Sequence, residues 1–239
     1  MQRQQFETIL RSRIVESAQA LHQSGVSFAT FDTTRCNPQF WELTEEGGCR
    51  IKAGVTPAQG IRDIFINGQQ YAFECATAMV IVLYKGVLDS ILESEFNRIF
   101  ADMLLYDWHY DSDLRLIQQQ GSHKAVPGDI LYFNNPDVSS DALEWKGENV
   151  VKMKNDLFYG HGIGILPAQG IIDSLNRHRR PDATVSAYLT NEVVYPDFVY
   201  LSQFAPEGNR FELSVNAFYN QVFSHSIHAV IGDRRFIQE

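Results

Sequence analysis

Cysteine is scarce in this chain of 239 residues: Cys36, Cys49 and Cys75 are the whole set. Three thiols with no close pair in the sequence make neither a disulfide framework nor a zinc site. They point to a reducing compartment and leave room for one functional thiol. Positive charge is also in short supply, with 20 Lys and Arg against 29 Asp and Glu, a net charge of -9 and no basic run. That balance excludes nucleic acid and anionic membrane as expected partners and would suit basic ones instead. Long apolar runs are missing too. The longest, Ala76 to Tyr84, ends at Lys85, well short of the roughly 20 residues a membrane span needs. The first residues, MQRQQFETILRSRIVESAQALHQSG, lack the continuous apolar core of a signal peptide. A soluble intracellular protein is expected.

Several motifs are absent. There is no GxxxxGK[ST] and no HExxH, so neither a phosphate-cradling loop nor that zinc helix is present. The string Gly160-His161-Gly162-Ile163-Gly164 lacks the GxGxxG spacing and the acidic residue expected about 20 positions on, which argues against dinucleotide binding. Of the seven histidines, His225 and His228 form the one close pair, read here as polar surface. No metal and no cofactor is expected.

What is present is material for a core: 44% hydrophobic and 12% aromatic residues, ample for one domain that folds without staples. Phe6, Ile9, Leu10, Ile14 and Leu21 recur at helical spacing up to Gly25, which predicts an amphipathic first helix. Val26–Phe31 and Gln39–Leu43 read as short strands around the loop Thr33–Pro38. Pro57 opens a helix over Ala58–Asn67, stopped by Gly68. A long buried helix is expected from about Cys75 to about Arg98, with Gly86 inside it. Strands are expected at Met103–Trp108, Ile130–Asn134, Asn149–Met153 and His161–Leu166, and a helix over Gly170–Arg180 ending at Pro181. From Ala187 to Ile237 only strand-like runs are visible. Helices first and mostly strands afterwards is an α+β order, which argues against a doubly wound parallel sheet.

Among the thiols, Cys75 stands out. Tyr71-Ala72-Phe73-Glu74-Cys75-Ala76-Thr77-Ala78 places it where a polar loop meets the start of the buried helix. There, unpaired N–H groups and the helix dipole favour a thiolate, which is the nucleophilic form. Papain-like cysteine hydrolases use this arrangement, with a base delivered from a following sheet. Cys36 and Cys49 open no helix and read as bystanders. Two bases offer themselves downstream. Glu148 and His161 lie thirteen residues apart, a separation that suits a hairpin turning near Asn155-Asp156. Histidine has the pKa for the task, about 6.5, and the flanking glycines leave its ring accessible. A glutamate would need its pKa raised by burial. Phe28, Trp108, Phe133 and Trp145 could line a slot for aliphatic substrate stems, Trp145 above all because it lies three residues from Glu148.

Longer runs carry a resemblance. These are Ser24-Gly25 through Phe28-Ala29-Thr30-Phe31, Ile61-Arg62-Asp63-Ile64, the Tyr71–Ala78 segment, and Leu105-Tyr106-Asp107-Trp108-His109-Tyr110. Gly128-Asp129-Ile130-Leu131-Tyr132-Phe133, Gly147-Glu148-Asn149-Val150 and His161-Gly162-Ile163-Gly164-Ile165 follow. In that order, from about His22 to about Leu189, the chain resembles the Bacillus-type spore-coat transglutaminases. The resemblance implies a core similar to the NlpC/P60 and papain-like hydrolases, with the cysteine on a buried helix packed on an antiparallel sheet. It implies a single catalytic domain over residues 1–239, starting later than the family pattern, in which residues 190–239 are an unmatched extension. It implies a calcium-independent protein-glutamine gamma-glutamyltransferase that joins glutamine and lysine side chains and releases ammonia. Cys75 matches the nucleophile and Glu148 its acidic partner; Glu74 can partly substitute, and His161 matches a histidine near the site. The partners implied are glutamine- and lysine-bearing spore coat proteins, with the enzyme a monomer made in the mother-cell cytoplasm and associated with the coat. The alternatives are a papain-like amidase or peptidase using water as acceptor, and an inert coat protein.

Overall fold

The computed structural model describes residues 2–206, and beyond them 227–231 and 234–238. The chain begins with helix α1 (Gln2–Gln23), then β1 (Ser27–Phe28), β2 (Trp41–Leu43), β3 (Cys49–Ile51), α2 (Pro57–Ile66) and β4 (Ala72–Phe73). Next come α3 (Cys75–Leu88), α4 (Glu93–Ile99), β5 (Leu104–Leu105), β6 (Leu116–Gln120), β7 (Ile130–Asn134), β8 (Gly147–Lys152), β9 (Leu157–Gly160) and β10 (Gly164–Pro167). Helix α5 (Ala168–Asn176), β11 (Tyr188–Leu189), β12 (Glu192–Pro196) and α6 (Phe198–Ser202) follow, and β13 (Ile227–Ile231) pairs with β14 (Arg234–Gln238).

The main sheet runs β10-β9-β8-β7-β12-β6, with β11 also on β7, and its pairings are antiparallel. Strand alternation gives it two apolar faces. Ile130, Val151 and Tyr159 join one core cluster with Phe6, Leu10 and Ile14 of α1 and the Met79–Tyr84 stretch of α3. Their neighbours Leu131, Val150 and Phe158 join a second cluster with Ile171 and Leu175 of α5. The α+β expectation, with the cysteine helix on an antiparallel sheet, is met. Helix α3 is apolar all round because it lies between α1 and the sheet. Gly86 marks the crossing with α1, where an added Cβ would stand 2.7 Å from Ile14 Cγ1 and 3.1 Å from its backbone nitrogen.

The structure corrects several boundaries. The expected helix from Cys75 to Arg98 is two helices. The chain breaks at Leu92, whose backbone is extended and whose N–H donates to the Phe204 carbonyl at 2.9 Å. Strand β6 was not visible in the sequence, since Gln118, Gln119 and Gln120 carry no apolar alternation. The hairpin after Glu148 does turn at Asn155 and Asp156, both at positive φ. Its second arm, however, is β9, so His161 sits in the next turn and not at the entry to a strand. The region from Ala187 on holds the helix α6, capped by the Asp197 carboxylate on the Val199 and Tyr200 N–H groups. His225 lies outside the described residues.

Candidate active site

Helix α3 starts at Cys75 because Glu74 caps it. The Glu74 carboxylate accepts from the Ala76 N–H at 2.6 Å and also from the Thr77 N–H. A carboxylate at this end complements the dipole. It also occupies donors expected to favour a thiolate, and of the first three N–H groups only that of Cys75 is left. The expectation of a helix-stabilised resting thiolate is therefore overturned. Burial, with the charges of Glu148 and Glu74 behind it, pushes the Cys75 thiol up to about 12, against hydrogen bonds from Asn149.

Glu148 comes from β8. It is 2% exposed and sits over Gly160, where a Cβ would come within 2.8 Å of its Oε1. Gly160 thus makes the room for the carboxylate. Glu148 Oε1 has no hydrogen-bond partner among the described residues. Burial raises the carboxyl well above the ordinary range, the Glu74 charge adds to this, and the His161 backbone N–H opposes it. This is the shifted carboxylate that a glutamate base requires.

His161 is not an accessible base. It is 3% exposed, with Nδ1 3.1 Å from the Tyr159 hydroxyl and Nε2 3.1 Å from the Ser27 carbonyl oxygen. A carbonyl only accepts, so Nε2 carries the hydrogen and Nδ1 accepts from Tyr159. Burial lowers its pKa to about 4, so the ring is neutral and ties β1 to the turn after β9. It also borders Phe28, with ring centroids 6.2 Å apart.

A cavity of about 900 Å³ opens over Cys75 and Glu74. Phe28 and Trp108 line it, as expected. Phe133 does not. It is fully buried and packs edge-on against Phe158 in the α5 cluster, because alternation along β7 turns Tyr132, its neighbour, to the cavity. Trp145 stands behind the wall, stacked on Phe28 at 5.7 Å and on His178 at 4.2 Å. Tyr132, Asn149, Asp107, Glu144 and Glu192 also line the cavity, and none of them stood out in the sequence. The one signal available for Asn149 was its place next to Glu148 in the sequence. Cys36 and Cys49, distant in sequence, interact through their thiols, which lowers the pKa of Cys36 and raises that of Cys49. Neither lines the cavity.

A cysteine at a helix start, packed on an antiparallel sheet that brings a buried carboxylate and an amide beside it, is the arrangement of thiol-dependent acyl-transfer enzymes and is compatible with a papain-like fold. Comparison with known proteins narrows the class. The family model for protein-glutamine gamma-glutamyltransferase matches residues 1–205. A protein-glutamine gamma-glutamyltransferase of Bacillus pumilus (strain SAFR-032) is 48% identical over 198 residues, covering 83% of this chain and 80% of its own. That of Bacillus mycoides (strain KBAB4) is 48% identical over 201 residues, covering 84% and 72%. The solved transglutaminase from Geobacillus stearothermophilus, without its C-terminal extension, superposes with a TM-score of 0.83 at 51% identity, covering 86% of this chain and 98% of that one. The chain belongs to the protein-glutamine gamma-glutamyltransferase family and is an enzyme of that activity.

Proposed function

We propose that this transferase crosslinks proteins in two acyl-transfer steps on Cys75. Cys75 and Glu74 line the cavity, and the buried Glu148 lies behind that wall with its charge acting on the thiol; this is the observation that carries the reading. Cys75 sulfur attacks the γ-carboxamide carbon of a peptide glutamine as Glu148 takes the thiol proton. That proton passes to the departing nitrogen, which leaves as ammonia and a thioester remains. A lysine amine then attacks the thioester carbon, Glu148 or Glu74 accepts its proton, and the thiol leaves reprotonated from an ε-(γ-glutamyl)lysine bond. His161 acts by position, holding β1 and Phe28 in place. Phe28 and Trp108 flank the aliphatic stems.

The partners proposed are glutamine- and lysine-bearing spore coat proteins, with no nucleic acid or membrane partner, and the enzyme acts as a monomer made in the mother cell and associated with the coat. Among the described residues no helix is long and apolar enough to cross a membrane. The reaction is proposed to need no calcium. Incubation with a glutamine protein and a labelled amine tests the scheme. Wild type should incorporate label at the same rate with and without EDTA, and Cys75→Ala should incorporate none. Ammonia release without incorporation would make the enzyme an amidase, and incorporation by Cys75→Ala would remove the thiol from the mechanism.

A further inference from the structure

The acyl transfer proposed above passes through a tetrahedral carbon whose oxygen is negative, and something must hold that charge. The start of α3 is largely spent, since Glu74 occupies the Ala76 and Thr77 N–H groups. A cation would be a poor choice beside Glu74 and Glu148, because pairing with a carboxylate would divert it from the substrate. What faces the sulfur is an amide. Asn149 Nδ2 donates to Cys75 Sγ at 3.5 Å, and no other hydrogen bond of that nitrogen is seen among the described residues. The residue is 9% exposed and lines the cavity. Its backbone is fixed in β8 opposite Tyr132 of β7, so its reach is set by the sheet.

We infer that Asn149 is a catalytic residue: its side-chain amide and the Cys75 N–H are the two donors that bind the oxyanion in both acyl-transfer steps. The inference rests on Cys75 being the nucleophile. In the resting enzyme the amide donates to the sulfur. Once carbon is bonded to that sulfur, the carbonyl oxygen stands within the span between Nδ2 and the Cys75 nitrogen and accepts from both. An amide suits the place because it donates without holding a proton that Glu74 or Glu148 could take. The chain thus splits the work of β8 between neighbours: Glu148 moves protons, and Asn149 holds charge.

The test uses the full chain carrying Cys36→Ser, so that Cys75 is the thiol open to reagent, with 4-nitrophenyl acetate as acyl donor. The nitrophenolate burst reports acylation of Cys75, and the amine-dependent phase reports its transfer. Asn149→Ala should lower both rate constants by about 10²–10³-fold, as for loss of one such donor, with the KM for the amine unchanged and Cys75 still alkylated stoichiometrically by iodoacetamide. Asn149→Asp, of equal size, should lose both steps as well and covers the case in which the alanine variant does not fold. A loss confined to the burst would mean that the amide serves only the free thiol, and rates close to wild type would mean that it serves neither; both outcomes overturn the inference. A burst that survives Cys75→Ala would instead sink the nucleophile assignment, whatever Asn149 does.

Discussion

At the residue scale the decisive fact is that the thiol and its base both sit where neutrality is favoured. The Cys75 thiol is pushed up to about 12 and Glu148 is raised well above the carboxylate range. Only the ionised carboxylate accepts a proton, so kcat/KM should rise with pH through an apparent pKa that belongs to the pair. Glu148→Gln should lower kcat by about 10²–10⁴-fold and flatten that rise. Glu74→Gln removes a negative charge that raises Glu148, so its rising limb should move to lower pH. A limb that stays in place would show that Glu74 does not act on the base. The positions of Cys75 at a helix start and Glu148 at a strand entry were legible in the sequence; the state of the thiol was not, because Glu74 takes the donors expected to favour a thiolate. Asn149 was not, because the direction of a side chain depends on which face of the sheet its strand presents. The behaviour of His161 was hidden for the same kind of reason. Its flanking glycines leave room, but the room at Gly160 is taken by Glu148, and that at Gly162 by Phe28.

At the element scale α3 matters most, since it carries the nucleophile. Helix propensity alone says that Gly86→Ala should stabilise it by about 1 kcal/mol. Packing says the reverse. The added carbon would stand 2.7 Å from Ile14 Cγ1 and 3.1 Å from the Ile14 backbone, and overpacking of this sort costs about 1–3 kcal/mol. Backbone cannot swing aside as a side chain can, so packing should win. Denaturant unfolding of Gly86→Ala should give a lower midpoint than wild type; a higher one would mean that α1 yields. The helix itself was readable from its apolar stretch and the polar loop before it. Its end was not, because Leu92 bonds to Phe204, more than a hundred residues away, and no local pattern encodes such a partner. Strand β6 was unreadable for a related reason. A row of glutamines becomes a strand because β12 pairs with it.

At the scale of the whole molecule the net charge of -9 acquires an address. Asp107, Glu144 and Glu192 line the same cavity as Cys75, with Lys146 as the cation among the lining residues. An acidic mouth draws a lysine side chain and repels an acidic one. Raising salt from about 0.05 to about 0.5 M screens exposed charges, so the KM for a lysine-peptide acceptor should rise severalfold with kcat constant. An uncharged amine acceptor should show no such change, and equal salt effects on both would detach the acidic mouth from acceptor choice. The net charge can be counted in the sequence but its location cannot, because these acids come from a turn, a short 3-10 helix and β12. The position of β12 between β7 and β6 was likewise out of reach of local patterns. The strands it joins precede it by tens of residues, and the antiparallel sheet that brings Glu148 towards Cys75 is completed only when that late strand arrives.

One side chain ties these scales together in a way that bears on engineering. Glu74 is at once the cap of α3 and part of the cavity wall beside the sulfur. Reactivity and foldedness therefore share a carboxylate. Any replacement that retunes the charge around the thiol also loosens the first turn of the helix that presents it. Natural drift at this position is constrained twice over, and a designer who wants a faster or differently poised enzyme would do better to vary the opposite wall, where the strands hold their own shape.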